Sequence, residues 1–212
     1  MRGVKGSHPS RQSMGYTKRR HALAVFTAFL VFAGTVPAAG HGGPPLRLGT
    51  VEESSLLLVS RIVDEVLSEG KGLPVKMSLS PSPEDLRTSF REGKLDLIVE
   101  FPPRAWRELA CPEGSSSAAA GEKVRLLYGK EFPEAWIGIT EVVEGSPCRR
   151  AVILLRREIV SDLRYSLVRP ALEEVIGNTA AADVEEISRK ARGDVRRQRD
   201  VIREFLEGKG LL

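Results

Sequence analysis

Histidine is almost missing from this chain. Its three histidines are His8, His21 and His41, and all of them lie in or at the edge of an N-terminal stretch that reads as a targeting segment. The remainder therefore has no imidazole with which to run Ser-His-Asp or Cys-His catalysis or to build a histidine metal site. No enzyme activity and no cofactor or metal is expected. Cysteine is nearly as rare, with only Cys111 and Cys148. In an oxidising compartment an even pair forms a single disulfide, and the alternative is two thiols that never meet. Acidic residues are absent from residues 1–40, which hold six of the 32 Lys and Arg. Without that stretch 26 basic residues face 28 acidic ones, a net charge of about −2 that gives nucleic-acid binding no electrostatic support.

What fills residues 1–40 is an export pattern. Lys18-Arg19-Arg20 is a basic n-region, residues 22–36 are apolar, and Pro37-Ala38-Ala39-Gly40 offers small residues for cleavage. The apolar run is shorter than the roughly 20 residues of a membrane-spanning helix, so a cleaved signal peptide is expected rather than an N-terminal anchor. Met14 would give a signal of conventional length. No lipid-anchoring cysteine follows. The expected location is periplasmic or otherwise extracytoplasmic.

Residues 46–212 read as one α/β domain with an open, mostly parallel sheet flanked by helices. Strand 46–50 ends in Gly49-Thr50. Glu52-Glu53-Ser54-Ser55 opens a helix whose apolar face is Leu58, Val59, Ile62, Val63, Val66 and Leu67. Strand 75–79 follows, then a helix capped by Ser82 with Leu86 and Phe90 inward, then strand 95–101. Residues 104–109 suit a helical turn or two, and 111–121 read as a mobile surface loop. Residues 124–128 and 135–143 have strand character, 144–147 form a turn, and 151–155 make another strand. From Ile159 onward the pattern is helical, with Leu163, Leu167, Leu172, Val175 and Ile176 on one face. Asp183 is expected to cap the next helix, and 200–206 to form the last.

Two side-chain groups stand out at the carboxyl ends of these strands, where open α/β sheets bind ligands. Phe101, Trp106, Tyr128, Phe132 and Trp136 offer aromatic faces to a cation, or else pack core. Glu52, Glu53 and Glu100 line a cation-attracting end, or else Glu52 and Glu53 start a helix in solvent and Glu100, at the strand end, has a structural hydrogen-bonding role. The basic run from Arg189 to Arg199 would dock on a membrane protein or on anionic lipid, or form a solvated face, since Glu185, Glu186, Asp194 and Asp200 interleave with it.

Residues 86–101, LRTSFREGKLDLIVEF, resemble without gaps the pattern LRQALxxGEIDLYPEY of the substrate-binding proteins of ABC transporters for glycine betaine, choline and related osmoprotectants. Residues 49–67 match GSKNFTEQYILGELLAQLL of the same family. Residues 201–212, VIREFLEGKGLL, resemble its closing VAREFLKEKGLL. The resemblance implies a type II periplasmic binding protein that holds a quaternary-ammonium osmolyte reversibly and delivers it to an ABC permease subunit in the membrane. It places the ligand around Thr50, Glu53, Ser54, Glu100, Phe101 and Trp106. The framework glycines and apolar periodicity follow the pattern, while Glu53 replaces Phe and Ile98-Val99-Glu100-Phe101 replaces YPEY. A quaternary ammonium is held by aromatic faces, so Phe101 keeps one face and Ile98 has lost another. The family interrupts its first lobe with a second. Here residues 136–143 pass almost directly into 151–155, which reads as a single lobe closed by a hairpin. Two other functions stay open. One is a degenerate module that uses an exposed Ile98, Phe101 and Trp106 to bind a partner; the other is an exported carboxylate enzyme with Glu100 as general base.

Overall fold

The computed structural model describes residues 43–112, 116–142, 149–191 and 195–212, all within one compact unit, His41–Leu212. The export segment, His41 and the 144–147 turn lie outside the described residues.

Five strands form one sheet: β1 (Leu46–Val51), β2 (Val75–Ser80), β3 (Leu97–Glu100), β4 (Trp136–Glu141) and β5 (Arg150–Leu155), in spatial order β2-β1-β3-β5-β4. β1 pairs in parallel with β2 and β3, while β5 lies antiparallel between β3 and β4. Four strands thus point one way and β5 alone is reversed. The helices are α1 (Ser54–Glu65), α2 (Pro83–Arg91), α3 (Arg104–Ala110), α4 (Ser117–Glu131), α5 (Arg157–Ser161), α6 (Val168–Asn178), α7 (Ala181–Lys190) and α8 (Val195–Gly208). A π-helical turn, Val66–Gly70, prolongs α1, and a 3₁₀ turn, Leu163–Tyr165, precedes α6.

Period-2 alternation along the strands sorts side chains onto two faces. Leu97 and Val99 of β3, with Ala151, Ile153 and Leu155 of β5, face the larger apolar cluster made with α1, α6, α7 and α8. Ile98, Val152 and Leu154 face the smaller cluster, where Leu86 and Phe90 of α2 meet Val124 and Tyr128 of α4. Two glycines tie the sheet to α2. Gly93 ends the helix with φ 71°, a conformation that disfavours side chains. At Gly49 a Cβ would lie 2.4 Å from Leu95 Cδ1 and 2.8 Å from Leu86 Cδ1, so only glycine allows α2 to sit this close.

Local signals explain most of the helix starts. Ser82 accepts a bond from the Asp85 amide at 3.1 Å, and Ser116 caps α4 by accepting from Ala119. Four expectations need correction. Residues 124–128 are helical: Ala120, Val124 and Tyr128 are buried at four-residue intervals, with Phe132 continuing the row just past the helix. The same helix begins at Ser117, inside the segment read as a loop. Asp183 is not the cap of α7; Ala180 is, and Asp183, three residues in, accepts from the Ala180 amide at 2.8 Å. Leu163 and Leu167 are exposed rather than on an apolar helix face.

Candidate functional site

The strand ends converge where β1, β3 and β4 finish and the reversed β5 begins. Of the residues expected there, Thr50 and Glu100 are fully buried, whereas Glu53, Ser54, Phe101 and Trp106 keep some exposure.

Thr50 lies on the same face of β1 as Leu46 and Leu48, and its hydroxyl donates to the Val99 carbonyl at 3.0 Å. It joins strands and offers nothing outward. Glu100 shares the face of Ile98, so the alternation of β3 turns it under α2 and α4. Arg87 Nε of α2 lies 3.0 Å from each carboxylate oxygen, and the Tyr128 hydroxyl of α4 donates to Oε1 at 3.0 Å. Burial pushes the Glu100 carboxyl up, and the bonds and charge of Arg87 only partly offset it. Burial acts to lower Arg87, yet the hydrogen bonds and charge of Glu100 carry it above its ordinary value. Tyr128 is held well above the usual phenol range, by burial first and by the Glu100 charge second. With both oxygens bonded and no exposure, Glu100 has no open approach for a substrate proton.

Trp106 belongs to the same assembly. Its ring meets Tyr128 edge-on at 5.0 Å, and the Arg87 guanidinium lies 5.9 Å from its centroid. Ile98 is also fully buried, in the smaller apolar cluster, so it cannot belong to an exposed docking face. Phe132 stacks beside Tyr128 and meets Phe90 edge-on, and Trp136 packs against the larger cluster. Phe132 is core, and Trp136 is half-buried.

A second, more open arrangement lies at the start of α1. Glu53 occupies the N-cap position, yet its side chain makes no capping bond. It turns instead to Arg149, just before β5, with Nη2 3.4 Å from Oε1. The Arg149 guanidinium stands 5.9 Å from the Phe101 ring centroid. The side chains of Arg149 and Glu53 are 49% and 41% exposed, so solvent reaches both. Ser54 is exposed beside them.

Arg87 and Arg149 are the residues that sequence reasoning missed at this end, and Tyr128, expected as a cation-facing or core ring, serves instead as a hydrogen-bond donor to Glu100. The four-residue row of α4 was the available signal that Tyr128 sits on a helix facing Glu100. Arg87 could have been found from its place next to Leu86 on the inward face of α2. Nothing local marks Arg149, whose position follows from the pairing of β5. Cys111 follows α3 and is disulfide-bonded; Cys148, the other cysteine, lies outside the described residues. No cluster of metal-ligating side chains occurs among the described residues.

No family model matches the chain, and no curated protein matches it. Solved structures do. A structure described as a glycine betaine/carnitine/choline ABC transporter superposes with a TM-score of 0.59 at 8% identity, over 79% of this chain and 98% of the other. Apo YehZ from Escherichia coli superposes at 0.58 with 11% identity, over 80% and 100%. The fold is therefore that of periplasmic-binding-protein-like α/β domains, and at this identity the relationship is a distant structural one.

Proposed function

We propose that the chain is the extracytoplasmic solute-binding component of an ABC transport system, taking a small betaine- or choline-like osmolyte at the sheet end bounded by Phe101, Glu53, Ser54 and Arg149 and passing it to a membrane permease. The observation that carries this reading is the likeness to the two binding-protein structures, in the same fold whose sequence pattern the three aligned segments follow.

The chemistry of the half-exposed pair suits such a ligand. Arg149 is an internal cation resting on the Phe101 face and facing a carboxylate. A quaternary ammonium makes the same two interactions, with the ring quadrupole and with negative charge. When it arrives, it takes the place of the guanidinium over Phe101. Arg149 is then released to receive the carboxylate of a betaine. An exposed ion pair is worth only about 0–1 kcal/mol, so the exchange is energetically accessible. A single lobe gives this ligand one wall, which argues for weak, rapidly reversible capture.

The test is calorimetry of the full chain with glycine betaine and choline, alongside Arg149→Ala. Saturable binding that tightens in the variant is the expected result, because a competing internal cation has been removed. Absence of binding by both folded proteins would sink the osmolyte reading.

One observation favours the alternative of a module that binds a partner rather than an osmolyte. The rings of Phe101 and Trp106 each already face an arginine of the chain. If the titration is flat, the half-exposed Phe101, Glu53 and Arg149 surface is the part to test against the permease.

A further inference from the structure

The two edges of the sheet differ. At β4 the edge is closed off: Ile137, Gly138 and Thr140 are buried. Just past that strand the Val142 amide donates to the Arg149 carbonyl beside β5. Backbone groups alternate in direction along a strand, so the odd-numbered residues of β4 point theirs outward. Arg125 Nη1 of α4 donates to one of these groups, the Ile137 carbonyl, at 2.6 Å.

The other edge, β2, has no such guard. None of its six residues is buried, and Leu79 is 52% exposed. The Leu46 amide donates to the Pro74 carbonyl at 2.8 Å, so Lys76, Ser78 and Ser80 turn their backbone groups toward β1. Val75, Met77 and Leu79 turn theirs outward, and among the described residues nothing is hydrogen-bonded to them. An open row of amides and carbonyls is a template for another strand. The side chains of the same three residues share one face. Val75 and Met77 pack partly against the larger apolar cluster, while Leu79 projects uncovered beside them.

We propose that β2 is an interface with a second copy of this chain, the two strands pairing antiparallel about a two-fold axis at Met77. In this register Val75 faces Leu79 of the partner subunit, Met77 faces its own counterpart, and Lys76 faces Ser78 of the partner subunit. Every outward amide and carbonyl of the strand is then matched, and the apolar row of one copy runs on into the other, covering Leu79. Neighbouring registers are poorer. Centring the pair on Lys76 sets two like charges directly opposite. Centring it on Ser78 sets Val75 against Pro81, which has no amide to give. Because β4 is guarded, each copy offers one open edge, and pairing closes at two. One short strand pair makes a small interface, so the dimer is weak and reversible. The inference does not rest on the osmolyte reading, whose site lies at the strand ends.

The experiment is sedimentation of the full chain, where a reversible monomer–dimer equilibrium is expected between about 10 μM and 1 mM. Leu79→Lys changes an exposed position and places a charge against the apolar row, so it should weaken the dimer by about tenfold or more. Met77→Cys should cross-link two copies on mild oxidation, since directly paired residues stand about 5.5 Å apart at Cα, within disulfide reach. Ser78→Cys should not, because its counterpart lies about 8 Å away, diagonally across the axis. A monomer throughout the range overturns the proposal. So does association that Leu79→Lys leaves unchanged, or cross-linking by Ser78→Cys in preference to Met77→Cys.

Discussion

Two arginine–glutamate pairs stand at the same end of the sheet, each with an aromatic ring under its guanidinium. Arg87 and Glu100 are 11% and 1% exposed, and Tyr128 completes the shell of the carboxylate. Arg149 and Glu53 are 49% and 41% exposed, joined by one long contact. The residue types match and the consequences differ. In the buried pair, solvation lost by each charge is restored by the other and, for the carboxylate, by the Tyr128 hydroxyl, so neither member can leave without stranding its partner. In the open pair water replaces either partner at little cost, so an incoming solute can replace one too. Burial separates a structural cation from a displaceable one.

The largest effect should come from breaking the buried pair. Arg87→Met strands Glu100 without a counter-ion, and destabilisation of about 3–5 kcal/mol is expected, read from urea unfolding at neutral pH. The loss should depend on pH with a definite sign. Burial lifts the Glu100 carboxyl above its unfolded value, so the folded state holds the proton more tightly. The stability contributed by protonated Glu100 is complete below the ordinary carboxylate range and is lost as pH rises through the raised folded value. Removing Arg87 raises that value further. The deficit of Arg87→Met should therefore shrink as pH falls toward the carboxylate range. A deficit constant with pH would mean that Glu100 finds another partner.

Tyr128→Phe makes a smaller incision in the same network. It deletes one hydrogen bond to a charged acceptor and keeps the ring contact with Trp106. A loss of about 2 kcal/mol is expected, with the tryptophan emission altered because Trp106 lies against that ring. A change below about 0.5 kcal/mol would show that Arg87 alone suffices to hold the carboxylate.

Much of this arrangement was legible before the structure, and the gaps have physical causes. Gly49, Gly93 and the apolar run of β3 announced the sheet and its crossing helix, because backbone conformation and period-2 burial are local properties. Glu100 was correctly placed at a strand end, but its direction was not. Whether such a residue faces ligand or core depends on which helices cover its face, and the sequence pattern suggests a loop to residue 121 and a strand over 124–128 where α4 lies. The run Val124-Arg125-Leu126-Leu127-Tyr128 has apolar residues on both sides of either period. Only the longer row from Ala120 to Phe132 distinguishes helix from strand. Arg149 was beyond reach for another reason: its contacts with Glu53 and Phe101 span 96 and 48 positions of sequence and follow from the reversed insertion of β5.

The smallest expected change in stability is also the most informative about function. Arg149→Ala removes an exposed pair and a cation–ring contact at the edge of the fold, so its cost should stay within about 1 kcal/mol. Its effect on ligand capture runs the other way. An internal cation over Phe101 must be displaced before any external one can bind, and its own attraction subtracts from the observed affinity. Deleting it should strengthen the binding of choline, which needs only the ring and Glu53. Glycine betaine should gain less, because it forfeits the guanidinium that receives its carboxylate. Calorimetry of both ligands against wild type and variant measures that difference directly. If both gain equally, Arg149 only blocks the face. If betaine alone loses, the arginine is part of the site.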